Sequence, residues 1–212
     1  MSENAQEEVV MSTPTHARST TEALGRLPLI GILLIQIFVG YEWFDSGLTK
    51  IARGGFPAGL AADLHDRVKS ASGWYRSFVD GSIIPHGVFF GYLIEIGELL
   101  VGVAFIAAAL VWLFRWERLP DRGRLTVLAV TILAAVAGIF MAVNFHVANG
   151  GTHPWLIPKD GFDESVDLDT LVLAVQAILI VVSVGAWRAI RQASPTRSHV
   201  GLKLHLGSGH KF

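Results

Sequence analysis

Four carboxylates stand where carboxylates are expensive. Glu42 and Asp45 belong to GYEWFDSGLTK, which continues the apolar stretch LPLIGILLIQIFV, and Glu95 and Glu98 belong to GYLIEIGELLVG, a second mainly apolar run. An ionised acid at membrane depth costs about 3 kcal/mol or more unless it is hydrated, paired or protonated. Two carboxylates brought together can hold one proton between them, which makes a group able to take up and release protons. Glu42, Glu95 and Glu98 are therefore the candidates for proton exchange. Trp43, Asp45, Tyr92 and Asn144 are the candidates to line a pocket beside them. Two plainer uses stay open: acids at headgroup depth facing water, or structural pairs with Lys50 or Arg53.

The same acids, with His86, His146 and His153, offer oxygen and imidazole donors to a metal. Di-iron bundles repeat Glu-x-x-His. Here the spacings are Glu-x-x-Asp and Glu-x-x-Glu, and no histidine follows by three, so no metal is expected. Cysteine is absent, which removes disulfides, thiolate ligands and thiol catalysis together.

The elements that position these residues are membrane spans. Of 212 residues, 51% are hydrophobic and only 17% charged, which is a membrane composition. A bilayer core about 30 Å thick requires about 20 helical residues. Four segments meet that length, roughly Leu27 to Ile51, Val88 to Phe114, Leu125 to Asn149 and Thr170 to Ile190. The expected fold is all-α, an integral membrane four-helix bundle. The formal net charge is −1 with no basic patch interleaved with aromatics, so nothing points to nucleic acid.

Loop charges orient the bundle. Arg115, Arg118, Arg122 and Arg124 lie between spans two and three, and Arg188, Arg191 and Arg197 at the end of span four and beyond it. The loop after span three sets Lys159 against Asp160, Asp163, Glu164 and Asp167. The positive-inside rule then makes both termini cytoplasmic and the first and third loops external. In the first loop, Leu60, Leu64, Val68, Ala71, Tyr75 and Phe78 recur at helical spacing after Pro57. An amphipathic helix is expected there, either flat on the bilayer or capping the bundle.

On that orientation the polar residues of all four spans gather at one depth. At about 100° per residue, Glu42, Asp45, Ser46 and Thr49 share a face of span one, and Gly91, Glu95, Glu98 and Gly102 a stripe of span two. Ala134, Ala137, Met141, Asn144 and Ala148 form a stripe of span three, while Asp169, Gln176 and Ser183 recur every seventh residue of span four. NGGTHPWLIP, from Asn149, has the glycines, prolines and Trp155 of a tight return loop. Residues 1–26 are polar and lack the form of a signal peptide, so they are expected to be a disordered cytoplasmic tail. Residues 27–190 make the membrane domain, and 191–212 a second cytoplasmic tail.

GYEWFDSGLTK, EIGELLVG and MAVNFHVANGG together resemble the DoxX family, in particular its DoxD-type small subunits of thiosulfate:quinone oxidoreductase. Gly40, Ser46, Gly47 and Lys50, with Glu98, Leu99 and Gly102, carry most of the likeness, which extends over roughly Leu27 to Ile190. The resemblance implies a multi-pass protein of a bacterial or archaeal cytoplasmic membrane that takes part in electron transfer to quinone. It also implies partner subunits or a homo-oligomer. Quinone is thus the expected cofactor or substrate, and the acids the expected means of proton exchange with it. A non-catalytic anchor or scaffold for a redox complex is the alternative, since the chain has no heme-binding pair, flavin fingerprint or thiol of its own.

Overall fold

In the computed structural model of the chain, residues 15–149 and 168–206 are described, with side chains at 28–149, 168 and 170–193. The return loop expected at NGGTHPWLIP lies outside the described residues from Gly150 onward, as do Asp167 and the side chain of Asp169. All elements among the described residues are helical. They are α1 (Thr15–Arg53), α2 (Phe56–Arg67), α3 (Gly73–Phe78), α4 (Gly87–Arg115), α5 (Asp121–Ala148) and α6 (Leu168–Leu206), with short 3-10 turns and a π turn at Val79–Ile83.

Four stretches are long and apolar enough to cross a membrane: Pro28–Arg53, Gly73–Arg118, Asp121–Ala148 and Thr170–Ala193. Their outer faces carry Phe38, Phe89, Leu133, Phe140 and Val181, all well exposed. Apolar side chains facing outward on every helix fit a solvent of lipid tails. The chain is thus an all-α, four-span membrane protein. α1 starts ahead of the expected boundary at 27, and α6 runs past 190 to Leu206.

The bundle core joins Val39 and Trp43 of α1, Val101 and Phe105 of α4, Ala134, Ala135 and Ala142 of α5, and Val172 and Leu179 of α6. α1 and α4 approach most closely through glycines. A methyl group on Gly47 would lie 2.5 Å from the Leu99 nitrogen, and one on Gly102 would collide with the Phe44 backbone. Lipid tails give apolar helices no hydrophobic reason to associate, so close backbone packing of this kind holds them together. Between the same helices Gln36 Nε2 donates to the Phe105 carbonyl at 3.0 Å and lies 3.5 Å from Thr131 Oγ1 of α5. On α6, Gln176 and Ser183 are buried, in keeping with their seven-residue spacing, and the Gln176 amide fits against Gly138, where a side chain would strike it.

The first loop caps the bundle. Gly54 and Gly55, with φ of 67° and 78°, turn the chain back from α1 into α2 through a conformation that L side chains rarely adopt. Pro57 then seats on Gly91 and Ala61 on Gly87. Beyond α2, Val68, Tyr75 and Val79 pack with Ala148 of α5 in a second core. The single amphipathic helix expected from Pro57 to Phe78 is broken by a 3-10 turn at Val68–Ser70 and extended backbone at Ala71. On either side of the break, Val68 and Tyr75 both pack against Ala148 at the end of α5.

Candidate functional site at the Lys50 end of the bundle

Lys50 is the only lysine or arginine within the first three expected spans, and it occurs one turn after Ser46 on the same face of α1. The glycine contacts at Gly47 bring this face against α4 at the level of Glu95 to Leu99. Lys50 Nζ lies 2.6 Å from Glu98 Oε2 and donates to Ser46 Oγ at 2.7 Å, while Ser46 Oγ stands 3.1 Å from the same carboxylate oxygen. The Phe56 ring, at the start of α2, lies 5.3 Å from the ammonium. Glu98 is almost wholly buried, its side chain 1% exposed, whereas that of Lys50 is 24% exposed. The pair is therefore asymmetric, with the acid sealed in the helix interface and the cation turned toward open space.

That space is a cavity of about 290 Å³ between the bundle and its cap. Ser46, Lys50 and Glu98 line it together with the apolar Phe56, Leu60 and Leu64 of the cap and Ile94 and Phe145 of the bundle. Asp63, Arg67 and Asn149 contribute polar groups. Arg67 bridges cap to bundle, with Nε 2.7 Å from Asp63 Oδ2 and Nη1 2.9 Å from Asn149 Oδ1. Apolar walls with a few convergent polar groups form the usual chemistry of a small-molecule site.

Of the seven candidate site residues, Glu42, Trp43, Asp45, Tyr92, Glu95, Glu98 and Asn144, only Glu98 lines this cavity. Glu95 is buried one turn away, with no ion pair among the described residues. Glu42 is half-buried and Asp45 exposed, because the inward face of α1 is formed by Gln36, Val39, Gly40, Trp43 and Gly47. The acidic face drawn for span one is thus rotated away from the core. Trp43 is a core residue whose ring centroid lies 6.5 Å from that of Phe145. Tyr92 is exposed on the outer side of α4. Asn144 holds the cap: its carbonyl oxygen lies 3.2 Å and its Oδ1 3.3 Å from Tyr75 Oη, while its Nδ2 donates to the Phe140 carbonyl.

Sequence reasoning kept Lys50 only as a structural partner for an acid, a pairing it makes with Glu98, and did not place it among the site residues, although its standing as the only cation in the early spans could have done so. Phe56, Leu60 and Arg67 carried no comparable signal, since only the folded cap brings them over Glu98. No protein-family model matches the chain, and no curated protein or solved structure matches it.

Proposed function

We propose that the chain is the membrane subunit of a quinone-linked oxidoreductase and that the cavity receives the quinone headgroup. The observation that carries this reading is the Lys50–Glu98 pair, a sealed acid behind a half-open cation, at the wall of an amphiphilic cavity where the bundle meets its cap. The size suits a single ring and not a whole isoprenoid quinone, whose tail would remain among the lipid-facing helices. Bound quinone would supply two-electron redox chemistry that consumes two protons on reduction. Lys50 Nζ would donate a hydrogen bond to a carbonyl oxygen of the ring. Glu98 Oε2, 2.6 Å behind it, can receive the ammonium proton and return it. Phe56, Leu60 and Phe145 would exclude water from the ring, and Asp63 and Arg67 would form a polar path toward the aqueous side.

The alternative, a non-catalytic anchor or scaffold for a redox complex, is favoured by one observation. Glu98 is already satisfied by Lys50 and Ser46, which ties α1 to α4 without any ligand. Titration of the detergent-purified protein with a short-chain ubiquinone, followed by tryptophan fluorescence, separates the two. The quinone reading expects saturable binding, weakened about tenfold in Lys50→Met through loss of a charge-assisted hydrogen bond. Absence of binding to the wild type, or equal binding by the variant, removes the quinone reading. A co-purifying partner lost on the same substitution would support the scaffold.

A further inference from the structure

The bundle end opposite Lys50 carries a different kind of charge. α4 ends at Arg115, a 3-10 turn spans Trp116–Arg118, and α5 begins at Asp121, so Arg115, Arg118, Arg122 and Arg124 share one tight hairpin. α6 adds to it by register. Gly138 of α5 lies against Gln176 of α6, and equal steps along these antiparallel helices from that crossing bring Arg124 level with Ile190. Arg188 and Arg191 flank that level.

Among the residues whose side chains are described, the acids in this region are Glu117 and Asp121, against six arginines, Arg115, Arg118, Arg122, Arg124, Arg188 and Arg191. Arg124 is engaged, 3.8 Å from Asp121, donating to the Trp116 carbonyl at 3.2 Å and lying over the Trp116 ring at 5.5 Å. Arg115, Arg118, Arg122 and Arg188 are exposed, and none has a carboxylate at ion-pair distance among the described residues. Most exposed cations at the other end behave otherwise: Arg67, Lys69 and Arg76 each have an acid of their own, Asp63, Asp66 and Asp80, and only Arg53 is without one among the described residues. Beneath the unpaired arginines lie aromatic rings suited to the interface. Trp112 and Trp116 stack at 4.2 Å, and Arg191 lies over Trp187 at 5.3 Å.

A rim of unpaired guanidinium groups around interfacial tryptophans, at the end of four membrane spans, fits a fixed array of phosphates. We propose that this rim binds anionic phospholipid headgroups, with Arg115, Arg118, Arg122 and Arg188 as the phosphate-holding residues. The planar guanidinium fork matches phosphate oxygens in a bidentate manner. A zwitterionic lipid offers the same phosphate but with its own ammonium, which cancels much of the attraction, so the rim selects for net negative headgroups.

The rim tryptophans are the reporters. In a Trp74→Phe, Trp155→Phe background, the protein is reconstituted into phosphatidylcholine vesicles holding a minor fraction of brominated phosphatidylglycerol or, separately, brominated phosphatidylcholine. Bromine quenches indole fluorescence on contact. The expected result is severalfold stronger quenching by brominated phosphatidylglycerol at equal mole fraction, declining as salt is raised. Replacing Arg118, Arg122 and Arg188 by Gln should bring the two lipids to parity, with phosphatidylcholine quenching and helix content unchanged, while replacing the same three by Lys keeps most of the preference. Equal quenching by both lipids in the wild type, persistence of the preference in the Gln variant, or its loss in the Lys variant overturns the proposal.

Discussion

The two ends of this bundle handle charge in opposite ways. At the capped end Lys50 and Glu98 meet inside the helix interface, and the surface cations of the cap each lie beside an acid. At the other end most of the arginines stand exposed with no acid partner among the described residues. The difference follows from solvation. A charge sealed between helices cannot be hydrated, so its partner must come from the protein. A charge at the rim is satisfied by water and headgroups, so its sequence neighbours can be anything. The surface pairs of the cap belong with the second kind: a hydrogen bond from Lys69 holds the Asp66 carboxyl below the usual carboxylate range, but both groups face solvent and the link adds little stability.

The contrast predicts a graded set of effects on stability, all measurable as unfolding free energy in detergent micelles. Lys50→Met should be the most damaging, by about 3 kcal/mol, since it leaves the sealed Glu98 without its cation. Adding Glu98→Leu should recover most of that loss. A single-variant cost near that of a surface pair would mean that Glu98 reaches water, and the distinction between the two ends would fail.

Gly102→Ala should cost about 2 kcal/mol by forcing α1 and α4 apart at Phe44. Gly185→Ala, on the open side of α6 with nothing within 4 Å, should instead gain about 0.5 kcal/mol from the better helix propensity of alanine. Equal effects at the two glycines would show that close approach is not what holds α1 to α4. Arg118→Gln should change stability by less than about 0.5 kcal/mol, because it is exposed and has no ion pair among the described residues. A larger loss would give the rim a structural role that the exposed arginine does not suggest.

The spans were legible because lipid demands long runs of apolar helix, and the lengths of Leu27 to Ile51 and its three counterparts meet that demand directly. The stripe Gly91, Glu95, Glu98 and Gly102 was legible too, and all four residues are buried. There, two glycines and two acids at helical spacing leave one plausible inward face. Span one offered two such faces. Glu42 and Asp45 drew attention by their charge, while the inward line through Gln36, Gly40, Trp43 and Gly47 was less conspicuous. In span three the small-residue line was only partly correct: Ala134 and Ala148 are buried, but Ala137 is exposed and Gly138 takes the inward position against Gln176. Small apolar residues are too common in membrane helices for their spacing alone to fix a rotation.

What the sequence determined by itself was the presence of four membrane helices, an amphipathic segment in the first loop, and acids at membrane depth, where an ionised carboxylate calls for water, a partner or a proton. Composition and period suffice for these because the bilayer imposes them on each helix separately. Tertiary structure decided which acid met which cation, that the amphipathic segment folds over the bundle, and that a cavity opens between cap and helices at Lys50. Those outcomes depend on the rotation and register of one helix against another, set by backbone contacts such as Gly47 with Leu99 and Pro57 with Gly91. A period read along a single helix carries no information about them.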